Sequence, residues 1–457
     1  MCSILGRFAY ETPGSEDNVK QSIQLSISTT GFVHLVHKTG FVLGKFFRGK
    51  IGCLLAFWLA FVICPLRALP AQDSLAYYDR AVELIELGRY ASAHRLLQEG
   101  LQQTGFEPRL VTLMVENALK HFSVRRGVQV FFLQDSINEK TRRGGQEGSS
   151  FTAVVYYPNR LLLRVLQQKP DFPIAHKLLG DFYRLQMPKD GAADLVDTDR
   201  LMRLKEKILS HYLKAAQLGL NEVEVNRWLG DYYLGLNQKD QARQFYRRNV
   251  EPEARDAASA LKLADLALAS NQFSEAFNHA MTALELLPQR NTVARYRARR
   301  LAALALLNLG ESESFVQEAQ ACIQLIPGLQ QAYLDLLDYY FSQENEDQIQ
   351  RLLREMLLNN PYERAGFQAL EKYAVNSGNF DSATQLLDEI VLKFEFSDQV
   401  MGQVYWTKGN LLYHQGQLAE ARKLWEISRS YFSKMLPEDS SLLKQVGILG
   451  QNSPPEN

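Results

Sequence analysis

Four aspartates carry the most regular chemistry in this chain. Asp181, Asp231, Asp265 and Asp338 each close a short apolar run, in Leu-Gly-Asp, Leu-Gly-Asp, Leu-Ala-Asp and Leu-Leu-Asp. Carboxylates repeated at matched positions suit a partner that carries Lys or Arg at intervals. Asn410 stands at the matching place in the last such run, which fits a plainer use in solubility or bonding within a helix. No catalytic combination accompanies the acids. His94, His121, His176, His211, His279 and His414 are scattered singly, without H-E-x-x-H or another metal spacing. G-x-S-x-G, P-loop and G-x-G-x-x-G patterns do not occur, and the Gly144-Gly145 pair reads as flexibility rather than a phosphate cradle. Cys2, Cys53 and Cys64 fall in or before the apolar segment at 51–66, Cys322 stands alone in the repeats at a helix-packing position, and no C-x-x-C or disulfide framework is present. The expectation is therefore no catalytic residue, no metal ligand and no cofactor.

The elements that position the acids follow from a spacing. Leu229, Gly230 and Tyr233, followed by Ala242 and Tyr246, form a register that returns 34 residues on, with Ala264 for Gly230, Ala276 for Ala242, Ala280 for Tyr246, and Pro288 closing the unit. The same step leads from Ala303 to Leu337 to Glu371, each with a second position at Phe315, Ile349 or Ala383. The pattern resembles the tetratricopeptide repeat, a helix-turn-helix unit of this length. The resemblance implies an all-α fold, a right-handed superhelical solenoid of stacked helix pairs, in which the positions of Asp181, Asp231, Asp265 and Asp338 line the concave face. It also implies a protein partner, a peptide or a helix lying in that groove.

Two short helices approach closely where small residues lie between them. Gly180, Ala81, Gly230 and Ala264 in first helices, with Ala93, Ala242, Ala276, Ala383 and Ala421 in second helices, are the expected contacts, and Gly230 is expected to face Ala242. Tyr183, Tyr233, Tyr340, Tyr246 and Trp425 fill the gaps and leave each unit an apolar face that a neighbour must cover. Gly88, Asn237, Asn271, Gly310, Gly378 and Gly416 fall where a residue tolerant of positive φ ends the first helix. Pro288, Pro327 and Pro361 mark unit boundaries.

The first unit runs from about Ser74 to Thr104. A second starts near Arg109, breaks off after His121 and resumes from Asn159 to Gln168; the third takes an insertion from about Pro188 to Thr198 and closes around Tyr212 and Ala215. Five more follow, to about Pro437, so the solenoid is assigned to residues 72–437 with a tail at 438–457. The break in the second unit, residues 123–157, has ends rich in Val, Phe and Tyr, at Gly127 to Leu133 and Ser150 to Tyr157, around a polar middle. A β-hairpin arm or a loop insertion fits that composition.

Formal net charge is zero, so bulk electrostatics favours no nucleic-acid partner. The cluster Arg290, Arg295, Arg297, Arg299 and Arg300 reads as a solvated helix face with ion pairs. Ile51 to Leu66 is apolar except for Gly52 and Pro65, follows Lys45, Arg48 and Lys50, and precedes Ala68 and Ala71. Residues 45–71 thus have the layout of a signal peptide, or of a membrane anchor if uncleaved, with membrane association through 51–66. Residues 1–44 are long for the segment before a signal; a start at Val42 or Leu43 in a bacterium, or a cytoplasmic tail, accounts for them. The basic flank places the repeats across the membrane, periplasmic or anchored there. Two functions fit: a non-catalytic scaffold in the bacterial cell envelope, or an accessory subunit of an envelope polysaccharide or cell-wall synthesis complex that uses the 123–157 arm.

Overall fold

The computed structural model describes residues 74–121, 123–124, 130–133, 152–155, 157–188, 198–252 and 254–444. The apolar segment 51–66, the Gly144-Gly145 pair and most of the insertion at Pro188 to Thr198 lie outside them. No described helix is long and apolar enough to cross a membrane.

Eighteen helices among the described residues form nine consecutive pairs. They are α1 (Ser74–Glu86) with α2 (Tyr90–Thr104), α3 (Pro108–His121) with α4 (Pro158–Gln168), α5 (Pro173–Arg184) with α6 (Thr198–Gln217), α7 (Val223–Gly235) with α8 (Lys239–Arg248), and α9 (Ala257–Leu268) with α10 (Phe273–Leu286). They continue as α11 (Thr292–Leu309) with α12 (Ser312–Leu325), α13 (Gln331–Ser342) with α14 (Glu346–Asn359), α15 (Arg364–Ser377) with α16 (Phe380–Phe394), and α17 (Asp398–His414) with α18 (Leu418–Ser433). Each pair also packs on the next. The architecture is an all-α solenoid, with six pairs rather than five after the third, because the extra residues before Ala303 and Gly409 lengthen first helices without merging units.

Local chemistry explains the boundaries. Gly88, Asn237, Asn271, Gly310, Gly378 and Gly416 all take positive φ in the turns between paired helices. The seventh pair turns at Glu344, φ 52, where the positive-φ position holds a glutamate in place of the Gly or Asn of the other turns. Asp256, Asn291, Asn345 and Ser397 each cap a first or second helix by accepting from the backbone N–H three residues on. Pro288, Pro327 and Pro361 stand in the connectors between pairs.

Packing departs from the expected contact of small on small. The atoms nearest Gly230 belong to Tyr246 rather than Ala242: a Cβ at Gly230 would lie 2.5 Å from Tyr246 Cε1. Tyr212 covers Gly180, Trp425 covers Gly409 and Phe432 covers Gly402 in the same way. A glycine opposite an aromatic fills the space between two helices better than two small residues, which would leave a void. Ala242 instead joins Tyr246, Leu263 and Leu266 in a buried cluster that reaches the following pair. One core runs from Tyr296 to Leu411 through four pairs, so no pair is closed on itself. At the end of the stack Leu443 is buried with Trp406 and Trp425, past the expected boundary at Pro437.

The break in the second pair contains a three-stranded antiparallel sheet, β1 (Ser123–Val124), β2 (Val130–Leu133) and β3 (Thr152–Val155), in the order β1-β2-β3. Phe131 pairs with Val154 and Phe132 with Ala153, so the expected hairpin is there, with one further short strand.

Candidate functional site

The four aspartates lie on the first helices α5, α7, α9 and α13, in one register, and each is already engaged. Asp181 accepts from the Tyr212 hydroxyl at 2.5 Å and lies 3.7 Å from Lys177. Asp231 accepts from Tyr246 at 2.7 Å, with Lys262 of the next pair 3.4 Å away. Asp265 pairs with Arg297, again from the next pair, and Asp338 accepts from Lys372 at 3.4 Å. Asn410 repeats the inner half of the pattern, accepting from Trp425 Nε1 at 3.0 Å and donating to Glu371 at 2.9 Å.

Sequence and contact therefore agree on one device. The glycine before the acid admits an aromatic ring from the second helix, and the polar tip of that ring reaches the acid or amide that follows. Burial and the neighbouring carboxylate hold the Tyr212 and Tyr246 hydroxyls protonated, so they act as donors. Asp181 is the most covered of the four carboxylates, at 18% exposed, and Asp338 the most open, at 75%. Asp231, Asp265 and Asp338 present an accessible charge, each beside a cation of the following pair.

A second row went unread in the sequence. Leu234, Leu268, Leu307, Phe341, Val375 and Tyr413 each lie four residues past the register position, and so share a helix face with the residue one past it. The first four are half-buried, while Val375 and Tyr413 are 41% and 54% exposed. The signal was available as one apolar side chain three residues after Asp231, Asp265 and Asp338. It is obscured because Arg184 holds the place in the third pair.

The arginine cluster resolves as a helix face with partners. Arg295 donates to the carbonyls of Leu284 and Leu287 at the end of α10, Arg299 to Glu318 at 2.6 Å, and Arg300 to Asp335 at 2.6 and 2.9 Å. With Arg297 on Asp265, the cluster fastens α11 to four neighbouring helices, α9, α10, α12 and α13. Cys322 is buried and donates toward the Tyr296 carbonyl, and burial pushes its thiol up to about 12.

The histidines are not all single. His176 and His211, which stand 35 residues apart on α5 and α6, meet with their Nδ1 atoms 3.2 Å apart. His121 stacks on Tyr90. A cavity of about 240 Å³ between the seventh and eighth pairs is lined by Gln350, Leu353, Arg354, Tyr373, Leu386 and Glu389 among others. Its one carboxylate, Glu389, is held below the usual range by hydrogen bonds from Arg354, at 2.6 and 2.8 Å, and from Lys393. No second acid converges on it, so it offers no general acid and base pair.

No protein-family model matches the chain, and no curated protein matches it. Among solved structures, a thermophilic tetratricopeptide-repeat protein of Thermus thermophilus is similar at 19% identity over 51% of this chain and all of its own, with a TM-score of 0.30. A tetratricopeptide repeat protein of Parabacteroides merdae is similar at 15% identity over 65% of this chain and 91% of its own, with a TM-score of 0.30. The pilF protein of Pseudomonas aeruginosa is similar at 12% identity over 50% of this chain and 94% of its own, with a TM-score of 0.34. The nine helix pairs, the 34-residue register and the glycine-to-aromatic contact inside the pairs make this chain a tetratricopeptide-like helical-repeat solenoid.

Proposed function

We propose that the chain is a non-catalytic scaffold that binds a protein partner along the face made by its first helices. The observation that carries this reading is the double row on that face, an acidic one from the third, fourth, fifth and seventh pairs and an apolar one from the fourth to the ninth. A partner segment with Lys or Arg at intervals would compete with Lys262, Arg297 and Lys372 for the carboxylates, and its apolar side chains would cover the second row. The groove of the proposal is the concave side of the superhelix. The basic and apolar layout of residues 45–71 supports a place in the bacterial cell envelope, with the repeats on the far side of the cytoplasmic membrane.

The sheet between α3 and α4 favours a second reading, an accessory subunit of an envelope polysaccharide or cell-wall synthesis complex that contacts the enzyme through β2 and β3. Crosslinked capture from envelope fractions separates the two. Replacing Asp181, Asp231, Asp265 and Asp338 by Asn should weaken capture and reduce its salt dependence. Capture unchanged at low and high salt, but lost when residues 123–157 are replaced by a short Gly-Ser linker, would transfer the contact to the arm.

A further inference from the structure

We propose that His176 and His211 form a two-histidine site for a divalent transition-metal ion, bridging the helices of the third pair. The partners of the two rings fix which nitrogens carry protons. His176 Nε2 lies 3.1 Å from the Pro170 carbonyl, which only accepts, so Nε2 holds the proton and His176 Nδ1 presents a lone pair. That lone pair faces His211 Nδ1 at 3.2 Å. In the hydrogen-bonded pair His211 Nδ1–H donates to it.

Two nitrogens each about 2.0–2.1 Å from one zinc, at angles of about 90–110°, are about 2.9–3.4 Å apart. The observed separation falls in that interval, although it joins two different helices. The rings meet nearly end to end, with centroids 5.4 Å apart, so a modest rotation about χ2 turns both lone pairs to a common point. Binding moves the His211 proton from Nδ1 to Nε2 and leaves the net charge of the protein unchanged. The Pro170 carbonyl already supplies what a metal-bound imidazole needs at its far nitrogen, an acceptor that fixes tautomer and ring plane.

The surroundings set the character of the site. Burial lowers the basicity of both rings, so their lone pairs are free at neutral pH. Tyr183 stacks on His211 and limits its movement. Lys207, over the Tyr183 ring, opposes a dication, while Lys214 is paired with Asp171 at 3.0 Å beside His176. Among the described residues no three metal-ligating side chains converge, so water completes the coordination shell. An ion held this way would clamp α5 to α6 across the 189–197 insertion.

The sequence has two further histidines, His34 and His37, three residues apart ahead of the apolar segment; the test uses the full chain with both replaced by Ala, titrated with Zn²⁺ by calorimetry and by thermal unfolding. One saturable equivalent that raises Tm is expected. His176→Asn and His211→Asn should each weaken it about 10-fold or more, and His279→Asn should leave it unchanged. X-ray absorption on the unsubstituted pair should count two imidazole nitrogens on the ion, a readout that does not depend on the variants folding. Fewer than two imidazoles, no saturable binding, or equal binding in both variants, which marks an adventitious ion only, would overturn the site.

Discussion

The hydroxyl of Tyr246 donates to Asp231 across 2.7 Å while the same ring closes over Gly230, the residue before that acid. The contact joins the two helices of the fourth pair through one side chain, apolar along its length and polar at its tip. The glycine is needed because any Cβ there would enter the ring.

Overpacking this contact should be costly. Gly230→Leu is expected to lower stability by about 1–3 kcal/mol, with the loss spreading chiefly to the third and fifth pairs. Tyr246→Phe keeps the ring and removes the donor, so it should cost about 1.5–3 kcal/mol, the range for hydrogen bonds to a charged group, and less to the extent that water reaches Asp231. Chemical denaturation of both variants measures this; a neutral Gly230→Leu would mean the ring has room that the packing denies.

How much of this was legible beforehand differs by level. The pairs could be read because the register of Gly230, Ala264, Ala303, Leu337 and Glu371 and the turn residues Asn237, Asn271 and Gly310 report backbone constraints that any sequence must meet locally. The partner of Gly230 could not, because choosing Tyr246 over Ala242 depends on how far the two helices stand apart, a tertiary quantity. The same holds for His176 and His211, whose meeting depends on the course of the insertion between their helices. Glu344 is a milder case: the backbone bonds from Glu344 N–H to the Phe341 carbonyl and from Asn345 N–H to the Tyr340 carbonyl close the turn with an exposed glutamate at positive φ, against its own preference.

Acid should destabilise the solenoid through its buried imidazoles. Burial lowers His94 and His211 to about 4, against 6.5 for an exposed imidazole, and for His211 the neighbouring His176 and Lys207 add to the effect. Between those values the unfolded chain binds more protons than the folded one. Their contribution is therefore complete above about 6.5 and is lost as pH falls toward about 4. Urea midpoints measured from neutral pH to pH 4.5 should fall, and His94→Gln should flatten the slope.

Cys322 should be silent toward thiol reagents in the folded protein. Its thiol is buried and raised to about 12, so neither access nor thiolate is available. With Cys2, Cys53 and Cys64 replaced by Ser, a maleimide should label nothing under native conditions and one site in denaturant. Fast native labelling would place Cys322 in a segment that opens locally.

The ion pairs that link successive first helices should tune register more than stability. Asp265 and Arg297 are 36% and 51% exposed, so solvent screens their attraction and Asp265→Asn should cost at most about 1 kcal/mol. That small cost should vanish at high salt. Asp265→Arg alone sets a like charge beside Arg297 and should be worse than Asp265→Asn at low salt. Adding Arg297→Asp restores opposite charges and should recover most of the loss. A double-mutant cycle read by thermal unfolding at two salt concentrations gives the coupling directly. A coupling of several kcal/mol, or one insensitive to salt, would show that the carboxylate is committed to holding the fifth and sixth pairs together and is not free to exchange Arg297 for a cation on a partner.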